Sequence, residues 1–187
     1  MLGLDMDTTL QIRSSVEQNI RTAFRGVTLG AGISLWRAQL IDGQSATSRE
    51  HAQSFTQGEN IGDWSQVPLD ELERDSVAHL DAPGFRYYIP ALMLSVMKHY
   101  DPSSMRVIGT LAGLYPKKDN AWEYHMQRYS LLDATQKTAI ARFLAELPKM
   151  VELDSEGQRT VERALQNYWG EYLQSNAAVN NRASSPD

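Results

Sequence analysis

The sequence predicts a mainly α, single-domain, irregular helical bundle with room for one short strand pair. Three observations predict it. Apolar residues recur at three- and four-residue spacing in several segments, the pattern of amphipathic helices. Capping residues precede these segments. The 187 residues with 42% hydrophobic content fit one domain with a sizeable core.

The first helix is expected from about Asp7 or Thr8. Ile12, Val16, Ile20, Ala23, Phe24 and Val27 form its apolar stripe. Gly30 and Gly32 break the chain, and Ser34 caps a short helix, Leu35–Ile41, that Gly43 stops. Residues 44–62 are polar, with one weak helix within long loops. Pro68 suits the first turn of a helix running to about Leu80, because proline's missing N–H would be unpaired there anyway. Asp81-Ala82-Pro83-Gly84 reads as a turn.

Pro90 decides the next element. A proline inside a helix removes a backbone bond and clashes with the preceding turn. Phe85–Ile89 is therefore read as extended, with a helix from Pro90 to about Tyr100; a helix continuing from Phe85 through Pro90 is the alternative. Residues 101–120 read as loop with a short strand at Arg106–Leu111. Asp133 and Gln136 make a capping box for a helix whose stripe is Ile140, Phe143, Leu144 and Leu147 and which Pro148 ends. Asp154 caps the last helix, with Val161, Ala164, Leu165, Tyr168, Trp169 and Tyr172 on its inner face. The helical domain spans 1–174, and the small, polar 175–187 is expected to be a disordered tail.

Composition narrows the function. Twenty-three acids against 18 bases give a net charge of −5, which argues against a phosphate-binding surface and hence against nucleic acid. Cysteine is absent, so thiolate catalysis, cysteine-zinc sites and disulfides are excluded, and a reducing cytoplasm suits the chain. The first residues lack the basic-then-apolar pattern of a signal peptide, and no apolar run reaches a membrane-spanning length of about 20 residues. His51, His79, His99 and His125 show no helical metal spacing, and neither a nucleophile elbow nor a phosphate-binding glycine loop occurs. No metal, cofactor or catalytic residue is expected.

The polar residues that stand out are Asp42, Asp63, Trp64, Glu71, Glu73, Arg86 and Tyr87. Asp42 and Asp63 read first as loop and cap residues; the functional alternative sets both on one groove with Arg86. Arg86 lies in an apolar run and needs a carboxylate or solvent, so a structural salt bridge is its expected role. Of Tyr87 and Tyr88, one is expected in the core and the other with its hydroxyl near the surface. Trp64 and Trp169 are expected as core anchors. Asp70, Glu71, Glu73 and Asp75 read as a solvated helix face on which a cationic partner could dock.

The order of these features resembles an uncharacterised bacterial family, domain-of-unknown-function family 6714, over roughly Ile20 to Tyr172. The residues carrying the resemblance are Asp42, Asp63-Trp64, Val67-Pro68, the run Gly84-Phe85-Arg86-Tyr87-Tyr88-Ile89-Pro90-Ala91, Gln136 and Tyr168-Trp169. Ile89 stands where the family pattern has Leu. The resemblance implies no activity, cofactor or catalytic residue. The expected function is a cytoplasmic protein-binding module, of the kind that neutralises a basic toxin domain as an immunity protein. The alternative is an enzyme with a site near Asp42, Asp63 and Arg86.

Overall fold

The structure, a computed structural model, describes residues 5–42, 62–73 and 77–174, the side chains of 40–42 excepted. The described residues are mostly helical, and no strand occurs among them. The expectations for residues 44–61 and for the tail at 175–187 lie outside the described residues.

Local capping chemistry sets the helix starts. α1 (Met6–Ala23) is capped by Asp5, whose carboxylate accepts from Thr8 N at 2.9 Å, and starts one to two residues earlier than expected. Ser34 Oγ accepts from Arg37 N at 3.1 Å at the start of α2 (Leu35–Asp42). α3 (Leu69–Leu72) is one turn, and a 3₁₀ turn follows at Val77–His79. The continuous helix expected from Pro68 to Leu80 is thus corrected. The carbonyls of Val77 and Ala78 in the 3₁₀ turn accept from Arg128 and Tyr124, which fixes that turn against α6 (Trp122–Tyr129).

α4 (Ala82–Lys98) is the central helix. Asp81 caps it, with Oδ1 accepting from Gly84 N and from Ile33 N, each at 2.9 Å. The expected turn at 81–84 is therefore a cap and a first helical turn, and the expected extended Phe85–Ile89 is helix running through Pro90. Burial overrides the proline. Every residue from Tyr87 to Met97 is buried, so the apolar surface withdrawn from water outweighs a proline penalty of roughly 3 kcal/mol. Gly84 is required by close approach, because a Cβ there would run into the Ile33 carbonyl oxygen.

α5 (Met105–Gly113) replaces the strand expected at Arg106–Leu111, and the chain on either side of it, 101–104 and 114–120, is non-helical as expected. Val107, Thr110, Leu111 and Leu114 are buried at helical spacing, and Thr110 Oγ1 donates a hydrogen bond to the Arg106 carbonyl at 2.7 Å. α6 (Trp122–Tyr129) was not anticipated; its start at Ala121 has no side-chain cap. α7 (Ala134–Met150) has the expected Asp133/Gln136 capping box but continues past Pro148. α8 (Ser155–Ala164) is capped by Asp154 and widens into a π-helical turn at Leu165–Trp169.

α7 packs antiparallel on α1: Gln136 near its start reaches the end of α1, and Met150 at its end meets Arg13. α4 lies between α1, α5, α6 and α7, with Phe85, Leu92 and Val96 fully buried. Tyr129 gathers the rings of Phe85, His125, Tyr168 and Trp169 within 6.0 Å. Among the described residues no helix is long and apolar enough to cross a membrane.

Candidate functional site

A helix leaves its last four carbonyls without intrahelical partners, and a helix that ends inside a protein must find donors for them. Four helices here solve this with distant side chains. At the end of α1, Trp64 Nε1 donates to Phe24 O at 2.7 Å and Gln136 Nε2 to Ala23 O at 3.2 Å. At the end of α4, Arg106 Nη2 donates to His99 O at 2.8 Å. At the end of α5, Trp169 Nε1 meets Leu114 O and Tyr129 Oη meets Gly113 O, each at 2.7 Å. At the end of α7, Arg13 Nη2 reaches Met150 O at 3.0 Å.

This arrangement accounts for Trp64 and, through Gln136, for Arg86. Trp64 and Trp169 are buried, and each uses its indole N–H as a clamp on a helix end. Arg86 Nε donates to Gln136 Oε1 at 3.1 Å, and that same oxygen accepts from Asp133 N at 3.2 Å. The expected carboxylate partner is thus replaced, for this nitrogen, by a neutral amide that belongs to a capping box. Tyr87 and Tyr88 are both buried, so neither displays its ring; their hydroxyls donate to Gly62 O at 3.0 Å and Glu71 Oε1 at 2.6 Å. Burial pushes both tyrosines above their ordinary value, and the nearby Glu71 carboxylate adds to the shift. Asp63 is exposed and accepts from Ser65 N at 2.9 Å; its bonds with Ser65 hold its carboxyl below the usual range.

Glu71 and Glu73 are tied down as well. Glu71 holds Tyr88, and Glu73 pairs with Arg106, whose side chain is 4% exposed. Asp42 is the last residue of α2, and its side chain lies outside the described residues. The structure therefore gathers Asp63, Trp64 and Tyr87 around one turn, Tyr88 with Glu71, Glu73 with Arg106, and Arg86 with Gln136. Among the described residues no group of three or more His, Asp or Glu is placed to hold a metal ion.

A second buried polar cluster joins α6 to the 3₁₀ turn. Arg128 donates to Val77 O and Gly113 O and lies over the faces of Phe85 and Tyr124. Its Nη2 stands 3.0 Å from His125 Nδ1, so His125 is the neutral acceptor here and carries its proton on Nε2. Burial first, and then the Arg128 charge, push His125 down to about 4.

The concave site lies elsewhere. A groove of about 350 Å³ runs between α5 and α8, within the size range of ligand-binding clefts. Val107 and Leu111 form its floor, and Ile108, Ala112 and Tyr115 its walls. Gly157 sits against the Tyr100 hydroxyl at the start of α8, while Asn167 and Trp169 reach Pro116 O and Leu114 O beyond the end of α5. The two helices therefore run side by side in the same direction. Asp154 and Glu156 stand at the Tyr100 end, and Lys117 at the Tyr115 end. Met105 and Ile108 expose 47% and 45% of their surface on α5. Sequence reasoning missed this groove because it treated 101–120 as loop. The signal was present in Val107, Thr110, Leu111 and Leu114, which mark one face, with Met105 and Ile108 left on the other.

The family described as a family of unknown function (DUF6714) matches residues 12–173. No curated protein and no solved structure matches the chain. With the match covering most of its length, the chain belongs to the DUF6714 family.

Proposed function

We propose that this DUF6714 protein acts by binding another protein, docked along the α5–α8 groove. One observation carries the reading: Trp64 and Gln136 are bonded to the end of α1 and Arg86 to Gln136, whereas the groove combines an apolar floor with half-exposed Ile108 and a charged rim. An exposed apolar surface rimmed by charge fits a protein interface better than a reaction centre, which needs acid, base or nucleophile groups converging on one point. In its most specific form the proposal is an immunity-type role in a bacterial cytoplasm, with a rigid helical body occluding a basic toxin domain. The net charge of −5 supports a basic partner through faster encounter at low salt.

The test is affinity capture from the native host's lysate with wild type and Ile108→Asp, followed by association kinetics with the purified partner at low and moderate salt. The expected result is a protein retained by wild type and lost by the variant, associating more slowly as salt rises. A chain that retains no protein and turns over a small molecule would contradict the reading in favour of an enzyme.

A further inference from the structure

We infer that the α5–α8 groove receives a short extended segment of its partner with a cation at one end, apolar side chains in the middle and an anion at the other. The inference rests on the protein-binding reading and adds the chemistry of the occupant. It follows from the polarity of the groove. Asp154 and Glu156 stand at the end where α5 and α8 begin, and Lys117 stands past the end of α5. Between these ends α5 itself runs for about 13 Å, nine residues at a rise of about 1.5 Å each. An extended chain covers that distance with about four residues.

The charged groups are available for this. Glu156 is 74% exposed, and its pair with Arg159 is a surface pair of little worth, so a partner cation can share or replace it. Asp154 is exposed and gives one oxygen, Oδ1, to cap Gly157 N. Lys117 is exposed at the far rim. Between them, Val107, Ile108 and Leu111 form the apolar stretch on which the two middle side chains would lie. Opposite charge at both ends sets the direction of the segment as well as its composition, since a reversed charge order would oppose like charges at each end.

The probes are three blocked tetrapeptides: acetyl-Arg-Leu-Leu-Glu-amide, acetyl-Arg-Leu-Leu-Arg-amide and acetyl-Glu-Leu-Leu-Glu-amide. Each is titrated into the ¹⁵N-labelled full chain, and amide shifts of 105–117 and 154–160 are followed. The mixed-charge peptide should bind about threefold more tightly than either like-charged one, the scale of one exposed charge pair. Lys117→Glu should move the preference to the Arg-Leu-Leu-Arg peptide, and Ile108→Asp should abolish the shifts for all three. Equal binding of the three peptides, an unchanged preference in Lys117→Glu, or no groove shifts up to the solubility limit would each overturn the inference. In any of these cases a protein captured by wild type and lost by Ile108→Asp would leave the binding reading standing with a different occupant.

Discussion

The junction at the end of α1 and the groove between α5 and α8 treat polar groups in opposite ways. At the junction, Trp64 donates to the Phe24 carbonyl, Gln136 to the Ala23 carbonyl and Arg86 to Gln136. Along the groove, Glu156, Asp154 and Lys117 face solvent around an apolar floor. A buried polar group left unpaired costs roughly 1–3 kcal/mol, so the junction side chains are constrained by stability alone. Glu156 and Lys117 carry no such constraint, and Asp154 carries only that of its helix cap. The difference teaches that prominence in a sequence pattern and availability for binding are separate properties.

Four variants sharpen this contrast. Leu92→Ala, in the fully buried centre of α4, should have the largest effect, a loss of roughly 2–5 kcal/mol from transfer and cavity terms. Denaturant unfolding measures it, and an unchanged midpoint would show that α4 is not the centre of the core. Gln136→Leu should cost roughly 1–3 kcal/mol, because it strands the Ala23 carbonyl and the Arg86 guanidinium together. If that loss is absent, the junction is not the clamp described.

The third effect is one of pH. His125 is about 6.5 unfolded and about 4 folded, because burial and Arg128 disfavour its cation. Its contribution is fully present above pH 6.5 and is lost as pH falls toward about 4, since the unfolded chain binds the proton more readily there. The slope is at most about 1.4 kcal/mol per pH unit. Unfolding free energies at pH 7, 6 and 5 should fall for wild type and fall less for His125→Gln, which keeps an acceptor for Arg128. Parallel curves would contradict the assignment. Ile108→Asp should have the smallest effect on stability, within roughly 0.5 kcal/mol, because the side chain is already half exposed.

What was legible in the sequence was local. Ser34, Asp133 with Gln136, and Asp154 each cap a helix within three residues of themselves, and all three were readable. Pro90 and Pro148 misled for the same reason: a local rule against proline was overridden by packing around α4 and α7, which no short window contains. The Val107-Ile108 pair in α5 looked like a strand because β-branched residues favour strands when burial does not decide. The clamps were invisible for a different reason. Trp64 meets Phe24 across 40 positions, Trp169 meets Leu114 across 55 and Gln136 meets Ala23 across 113. A pattern can mark such residues, but only the fold says what they hold. Glu71 and Glu73 carry the same lesson: they read as a solvated face, and the fold bonds them to Tyr88 and Arg106.

The most direct measurement compares Trp64→Phe at the junction with Ile108→Asp in the groove. Each is assayed for unfolding free energy and for the amount of partner captured from host lysate per mole of folded protein. The account predicts that Trp64→Phe loses stability and keeps the partner, while Ile108→Asp keeps stability and loses it. The reverse outcome, with partner lost on Trp64→Phe and retained on Ile108→Asp, would contradict it.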